Sequence, residues 1–273
     1  MPRPLHSVEA CIFSLLSVLA ISLNPVLASP AQSPPAMSGC QSAAAETAVV
    51  ERITTHGELV LADGRLLRLR GLVLSGERQA TAFLDATVKG RRVDIGGLPR
   101  TPDRWQRYAT SHVVLHLPNG GRQLVSEALI SQGQAVVRPA ELPTACADWL
   151  LAVEREARRA RKGIWERDFP LDSGNLTALS RDDGQYVIVS GTIITVGERQ
   201  YATYLNFGTR RNHDFAVYIA GRQWQAILKT GLTAMELTGK RVMVRGDIIA
   251  GQLAGQAPVM ETTHAAEISF EMD

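Results

Sequence analysis

The serines and histidines of this chain are not placed for nucleophilic catalysis or for metal binding. A nucleophilic serine needs an adjacent base, and Ser126 and Ser131 have no histidine and aspartate context around them. His56, His112 and His116 form no metal-ligand spacing with a carboxylate. We expect His112 and His116, on one face of a predicted strand, to be partly buried polar positions. These residues predict neither a catalytic triad nor a zinc site.

Two of the three cysteines are expected to pair. Cys11 lies in an N-terminal apolar run that we interpret as part of a cleaved signal peptide, which leaves Cys40 and Cys146 in the mature chain. Because an exported protein meets an oxidising compartment, this cysteine content favours a Cys40–Cys146 disulfide between the start of the first domain and its last helix. Two unpaired thiols are the alternative that a count of cysteines leaves open.

Residues 1–28 are typical of a secretory signal peptide. Arg3 supplies a positive charge, Cys11–Leu23 form an apolar run, and Val26-Leu27-Ala28 offer small residues for cleavage. The run is shorter than the roughly 20 residues that span a bilayer, although an uncleaved anchor is the alternative interpretation. We predict an exported protein, periplasmic or extracellular, with no membrane span after cleavage and with a Pro-rich spacer over residues 29–46.

The net charge of the chain is only +2, but its two halves carry net charges of opposite sign. Residues 41–167 carry 19 Lys and Arg against 14 Asp and Glu, a net of +5, whereas residues 168–273 carry 9 against 12, a net of −3. The excess on the first half is compatible with an anionic partner such as nucleic acid, but it is too small to establish one.

The sequence patterns predict a first domain over residues 47–167 that alternates strands with helices. A hairpin turn is expected at Ala62-Asp63-Gly64 between two apolar strands. Helical periodicity predicts a helix over residues 77–88, a short helix over 124–131 and a long amphipathic helix over 145–162.

Residues 168–184 are polar and contain Pro170 and Gly174, which predicts a linker. Residues 185–273 are rich in short strands, with helical stretches after the third strand, and this pattern indicates a small barrel of the oligonucleotide-binding (OB) type.

The second domain contains an aromatic cluster flanked by basic residues: Tyr201, Tyr204 and Phe207 beside Arg199, Arg210 and Arg211. An OB barrel can stack single-stranded bases on exposed aromatic side chains next to a basic groove. However, alternation along the strands favours aromatic side chains that fill the barrel, and the negative charge of this domain argues against avid nucleic-acid binding.

Three local sequences, in this order, resemble the staphylococcal nuclease (thermonuclease) family. They are residues 59–71 (LVLADGRLLRLRG), residues 102–107 (PDRWQR) with 124–133 (LVSEALISQG), and residues 159–165 (RARKGIW). The resemblance covers about residues 49–166. It implies a five-stranded OB-type barrel with three helices, so we expect a mainly β protein with α-helices, built from two small OB-type barrels. The second domain resembles a C-terminal barrel that follows such domains in some bacterial proteins.

The resemblance also implies which residues would act on a phosphodiester. The family binds calcium through two aspartates and stabilises the phosphate with two arginines, which the resemblance places at Arg68 and Arg107. It places Gly57 at the first aspartate. Because this segment is one residue longer than the family pattern, either Val73 or Leu74 occupies the second. None of these three residues has a side-chain oxygen.

The residue at the position of the family glutamate, which positions the attacking water, depends on the register. One register places Gly76 at its position and another places Glu77 there, while Glu58 is a further carboxylate nearby. Glu58 and Glu77 either form a rearranged metal site or are two surface glutamates at turns. Arg68 and Arg107 either hold a phosphate or another anion, or are held by internal partners such as Asp63, Asp103 or backbone carbonyls.

These observations favour a non-catalytic binding or scaffolding protein. We expect no confident catalytic residue, no metal ligand and no cofactor, although calcium is the metal of the family. The expected partner is nucleic acid or another anionic ligand, bound weakly, or a protein. The alternative is a phosphodiesterase that hydrolyses DNA or RNA through a rearranged metal site.

Overall fold

The computed structural model describes residues 1, 39–40, 45–167, 169–251, 253 and 255–271. The predicted signal peptide, apart from its first residue, and most of the predicted Pro-rich spacer lie outside the described residues. None of the helices in the described part of the chain is long and apolar enough to cross a membrane.

The first half of the chain forms a seven-stranded sheet, a separate two-stranded sheet and three α-helices. Its elements are β1 (Ala45–Ile53), β2 (Leu59–Leu61), β3 (Leu66–Leu69), β4 (Leu72–Leu74), α1 (Glu77–Thr87), β5 (Arg92–Gly96), β6 (Arg107–Thr110), β7 (His112–His116), β8 (Arg122–Leu124), α2 (Val125–Ser131), β9 (Ala135–Val137) and α3 (Thr144–Arg159). The large sheet has the order β6-β3-β2-β1-β5-β7-β8, and β4 pairs with β9.

The second half forms an eight-stranded sheet with three further helices. Its elements are β10 (Leu171–Asp172), α4 (Leu176–Arg181), β11 (Tyr186–Thr192), β12 (Thr195–Glu198), β13 (Ala202–Asn206), β14 (Ala216–Ala220), α5 (Gly221–Leu228), α6 (Ala234–Leu237), β15 (Arg241–Ile249), β16 (Val259–Glu261) and β17 (Ile268–Phe270). The strand order is β10-β11-β15-β16-β14-β13-β12, and β17 also pairs with β15.

The expected fold class, mainly β with α-helices, is confirmed, but the expected closed barrels are not seen. A barrel closes when its end strands exchange hydrogen bonds. In the described residues, β6 and β8 end the first sheet and do not pair with each other, and β10 and β12 likewise end the second. The first sheet also has seven strands where five were expected. The three helices expected in the first half are present as α1, α2 and α3.

Local sequence explains where these elements begin and end. The β2–β3 turn contains Gly64 at φ 86°, a conformation that glycine adopts readily. Helix α3 ends three residues before the predicted end at residue 162, because Arg161 adopts φ 50° and Gly163 adopts φ 56°. Gly163 also lies against Gly133, where a Cβ atom would come within 2.5 Å of the Gly133 carbonyl oxygen.

The predicted disulfide is present in the structure. Cys40 and Cys146 are joined with their Cα atoms 4.6 Å apart, although 106 residues separate them in the sequence. Both cysteines are buried in the first core, next to Leu150 of α3. The bond therefore attaches the segment that precedes β1 to the last helix of the first half.

Each half has its own hydrophobic core, and a third, smaller cluster lies between them. The first core gathers residues of β1 to β9 and α1 to α3, and the second gathers residues of α4 to α6 and β11 to β17. The third cluster joins Val136, Ala157 and Trp165 of the first half to Tyr186, Ile188 and Met243 of the second.

Residues 169–184 of the segment predicted as a linker (168–184) contact the second half. Strand β10 pairs in parallel with β11, and Leu179 of α4 is fully buried in the second core. Its polar composition comes from exposed positions between these buried residues. The domain boundary itself remains a prediction.

Candidate functional site around Arg68 and Arg107

Adjacent strands present Arg68 and Arg107 on one face. Strands β3 and β6 are parallel, with Leu66 opposite Arg107 and Arg68 opposite Ala109. Because side chains alternate along a strand, Arg68 and Arg107 point to the same side, whereas Leu67 and Leu69 are buried on the other. The two arginines are diagonal neighbours, with Cα atoms about 8 Å apart from the ordinary strand spacing and rise.

Two carboxylates hold Arg107. Its Nε atom donates to Asp103 Oδ2 at 2.9 Å, and a terminal nitrogen lies 3.4 Å from Glu58 Oε1. Asp103 also accepts hydrogen bonds from the backbone N–H groups of Trp105 and Arg107. Desolvation raises the pKa of the Asp103 carboxyl, but these hydrogen bonds from Arg107 and Trp105 outweigh it, and the pKa is lowered. The guanidinium is thus matched by negative charge within the protein.

Glu58 is oriented by a local turn. The Thr54 hydroxyl donates to the Glu58 carboxylate, and the Glu58 backbone N–H donates to Thr54 Oγ1 at 3.0 Å. The Glu58 side chain is 12% exposed and faces Arg107. Of the two candidate glutamates, Glu58 therefore lies at the site.

The other candidate glutamate, Glu77, contacts a different side chain. It is the first residue of α1, and its Oε1 atom lies 3.3 Å from His56 Nδ1 in an exposed pair. The geometry places Glu77 with His56 at the surface rather than with Arg107.

Arg68 is held by a residue that the sequence patterns did not indicate. A terminal nitrogen of Arg68 lies 3.0 Å from Glu141 Oε2, which also accepts the Gly71 backbone N–H at 3.2 Å. Glu141 lies in a 3₁₀ turn (Pro139–Glu141), 73 residues from Arg68. Of the internal partners suggested above, Asp103 does bind Arg107, whereas Asp63 pairs with Arg65. No local signal connects Glu141 to Arg68.

The Leu74 side chain lies beside Gly57, the residue that the resemblance assigns to the first family aspartate. Gly57 adopts φ 80°, and a Cβ atom there would lie 2.3 Å from Leu74 Cδ1 and 3.7 Å from Leu84 Cδ1. The Leu74 side chain packs against the first core, whereas Val73 packs against the cluster between the halves. Of the two residues that the open register allows at the second aspartate, Leu74 is the one that lies against Gly57.

A comparison with known families matches part of the first half of the chain. Residues 76–167 match the family model described as staphylococcal nuclease homologue. The chain contains a staphylococcal nuclease-like domain. The match includes Glu77, Arg107 and the Gly-Ile-Trp end at residues 163–165, but it begins after Gly57 and the hairpin of Arg68. A comparison with curated protein sequences finds no significant match to the chain.

The residues of the nuclease-like domain do not fit a calcium ion at the family's position. A hard cation prefers several oxygen ligands, usually with carboxylates among them. Leu74 fills the space beside Gly57, and the carboxylate of Glu58, the next residue in the sequence, is already bound by Arg107 and Thr54. Among the described residues, no group of three or more His, Cys, Asp or Glu side chains could hold a metal ion.

An exposed tryptophan beside Arg107 is a further feature of the nuclease-like domain. Trp105 is 56% exposed, and the guanidinium carbons of Arg104 and Arg107 lie 3.8 and 4.6 Å from its ring centroid. Guanidinium groups at this distance from an indole ring make cation–π contacts. The sequence run of residues 102–107 contains this tryptophan, but the resemblance assigned it no role.

The histidines and serines that were considered for catalysis or metal binding lie apart from the two arginines. His112 is fully buried, and neither of its ring nitrogens has a hydrogen-bond partner in the described part of the chain. His116 is half exposed and lies 3.0 Å from Asp94, so only His116 is the partly buried polar position that we expected. Ser126 is buried, and Ser131 donates to the Ala128 carbonyl. None of them contacts Arg68 or Arg107.

Proposed function

We propose that this chain is an exported, non-catalytic binding or scaffolding protein whose nuclease-like domain has lost calcium-dependent phosphodiester cleavage. The contact between Leu74 and Gly57 is the observation that carries the proposal, because it puts methyl groups where the family requires a carboxylate. Backbone carbonyls and water would hold calcium there with far lower affinity than a carboxylate site.

The partner of the nuclease-like domain is nucleic acid or another anion. Arg68 and Arg107 point from one face, and the net charge of residues 41–167 is positive. Both arginines already have carboxylate partners, so an incoming phosphate would have to compete with Glu141 and Asp103. This competition favours weak and salt-sensitive binding.

Export is supported by two features. The first 28 residues have the composition of a signal peptide, and the disulfide between Cys40 and Cys146 is a bond that oxidising compartments preserve. The protein would then act in the periplasm or outside the cell.

The decisive experiment is a nuclease assay on single- and double-stranded DNA and RNA, with calcium and with a chelator. We expect no calcium-stimulated cleavage. Calcium-dependent turnover that disappears in Arg107→Ala would contradict the proposal. The matched control is Arg92→Ala, because Arg92 is an exposed arginine of the same half, on β5.

One observation favours the rival function, a phosphodiesterase with a rearranged metal site. Glu58 lies beside Arg107, so a carboxylate and a guanidinium do meet in the structure. If this rival is right, Glu58→Gln abolishes the calcium-dependent cleavage, whereas Glu77→Gln leaves it intact because Glu77 pairs with His56 instead.

A further inference from the structure

The outer face of the second sheet carries two tyrosines side by side. Tyr204 of β13 lies directly opposite Tyr218 of β14, and their ring centroids are 5.7 Å apart in an edge-to-face arrangement. Their strand neighbours Leu205 and Val217 are buried on the core side, so these tyrosines do not fill the interior. Tyr204 remains 37% exposed, and Tyr201 in the preceding turn is 78% exposed. The expectation that alternating aromatic side chains fill a barrel therefore does not apply to these three.

Tyr201 and Tyr204 line a groove of 660 Å³ that crosses β12, β13 and β14. Next to these rings the strands contribute the small residues Gly197, Ala202 and Ala216, while Ile194 and Phe215 are among the larger lining residues. Small side chains around two aromatic rings leave the rings accessible to a flat ligand.

Gly197 has no evident structural reason to be glycine. It lies in the interior of β12 opposite Tyr204, and it does not have positive φ. A Cβ atom there would have Asn206 Nδ2 at 3.8 Å and the Tyr204 carbonyl oxygen at 4.0 Å as its nearest neighbours, so there is room for a side chain. No atom of the Tyr204 ring comes within 4 Å of that Cβ position, so the ring leans towards Tyr218. Glycine inside a strand weakens it and often marks close approach of a ligand.

The same groove is lined by positive charge that the protein does not neutralise. Arg199 and Arg211 form no ion pair with any described residue, whereas Arg210 is paired with Asp214 at 2.6 Å. The second half is negative overall, so two unpaired arginines in one groove are a local exception. They fit a ligand that combines planar rings with negative charge.

We propose that this groove binds single-stranded nucleic acid, with a base stacked on Tyr204 in the open space above Gly197 and with phosphates held by Arg199 and Arg211. Aromatic stacking beside a basic groove is a general way to bind unpaired strands without sequence preference. The proposal rests on the binding role given above and assigns it a second, separate site.

The first test measures fluorescence anisotropy of labelled oligothymidine and oligouridine of about 12 nucleotides, a length within the usual site size of single-strand-binding domains. We expect Tyr204→Ala to lower the affinity about tenfold and Tyr204→Phe to keep it, because the ring and not the hydroxyl stacks. An abasic strand with the same number of phosphates should bind about tenfold more weakly than the normal strand. Equal binding of the abasic strand would overturn the stacking.

The variant Gly197→Val tests whether the open space above Gly197 is needed for binding. Valine suits a strand better than glycine, so the melting temperature should be unchanged or higher, while its side chain fills the space above the floor and lowers affinity about tenfold. Retained affinity in this folded variant would overturn the proposal.

The charged residues are tested by salt dependence. Arg199→Ala and Arg211→Ala should each lower the slope of log affinity against log salt by about 0.7, the value for one phosphate contact on a single strand. Arg181→Ala, an exposed arginine of α4 outside the groove, should leave the slope unchanged.

The outcomes separate this proposal from the one above. If the parent protein binds oligonucleotides and only Arg68→Ala and Arg107→Ala weaken it, the groove proposal fails and the nuclease-like domain is the binding site. If the parent binds no oligonucleotide, both nucleic-acid proposals fail. Binding of a proline-rich peptide in place of the oligonucleotide would overturn the groove proposal in favour of a peptide site.

Discussion

At Gly57, both the left-handed backbone and a close neighbour disfavour any residue other than glycine. A Cβ atom would be strained by φ 80° and would overlap Leu74 Cδ1. The packing of Leu74 therefore requires glycine at the position that the resemblance assigns to the first family aspartate. Restoring an aspartate at this position needs a smaller residue at 74 as well.

We expect Gly57→Ala to lower the free energy of unfolding by about 2–4 kcal/mol, from backbone strain plus overpacking. Gly64→Ala is the matched control, because Gly64 has φ 86° but nothing within 4 Å of its Cβ position, so its loss should be about 1 kcal/mol. Urea denaturation measures both. The double variant Gly57→Ala/Leu74→Ala should show favourable coupling between the two sites. Strict additivity would contradict the predicted overlap.

The burial of His112 leads to a prediction of how the stability of the protein depends on pH. Burial lowers the pKa of this imidazole, and the nearby Arg122 adds to the effect. The unfolded chain then binds a proton on His112 at a higher pH than the folded chain does. The contribution of His112 is therefore present above the ordinary histidine pKa of about 6.5 and is lost as pH falls through the folded-state pKa.

We expect His112→Phe to reduce the loss of stability between about pH 6.5 and pH 5, measured by urea denaturation at several pH values. An unchanged profile in His112→Phe would mean that the buried imidazole does not titrate differently in the two states.

At the scale of elements, α3 and β15 are joined by a buried ion pair. Arg245 donates to Glu154 Oε1 at 2.8 Å and to the Val137 carbonyl at 3.0 Å, while Glu154 accepts the Val137 backbone N–H at 2.7 Å. The two charged side chains are 3% and 4% exposed. This network connects the last helix of the first half to the longest strand of the second.

We expect Glu154→Gln to destabilise the protein by about 3–5 kcal/mol, because it leaves the Arg245 charge buried without its partner. The apolar double variant Glu154→Leu/Arg245→Met should lose less than either single change. In the same helix, Glu156→Gln breaks the exposed pair with Arg159 and should cost less than about 1 kcal/mol. Equal effects of Glu154→Gln and Glu156→Gln would contradict a buried role.

At the scale of the whole molecule, side-chain contacts join the two halves in addition to the polypeptide backbone. The cluster of Val136, Trp165 and Tyr186, the Glu154–Arg245 pair and the contact of Arg138 with Asp247 at 2.5 Å all cross between the halves. Relative motion of the two halves would expose apolar surface and break the buried Glu154–Arg245 pair.

The position of residues 168–184 leads to a prediction about fragments. Because β10 and α4 supply a strand and the buried Leu179 to the second half, a fragment of residues 169–273 should be more stable than one of residues 185–273. Urea denaturation of the two fragments, each with Met243→Gln to make the exposed face polar, measures the difference. Equal stability would show that residues 169–184 are dispensable and would restore the linker interpretation.

Some properties of this protein follow from sequence alone, because they depend on neighbours in the chain. The Ala62-Asp63-Gly64 turn, the helix that ends near Gly163, and the absence of carboxylates at Gly57 and Leu74 are read from short runs. The nuclease-like domain could be recognised for the same reason.

Other properties were decided only by packing. The partner of Arg68, the choice of Leu74 over Val73, the burial of Leu179 and the exposure of Tyr204 depend on strands that meet after long separations in sequence. A period-2 pattern shows that two faces of a strand differ, but it does not show which face a neighbouring element covers. That is why the sequence could show which residues lack a carboxylate, whereas the structure was needed to identify the internal partners of the arginines and the open tyrosine groove.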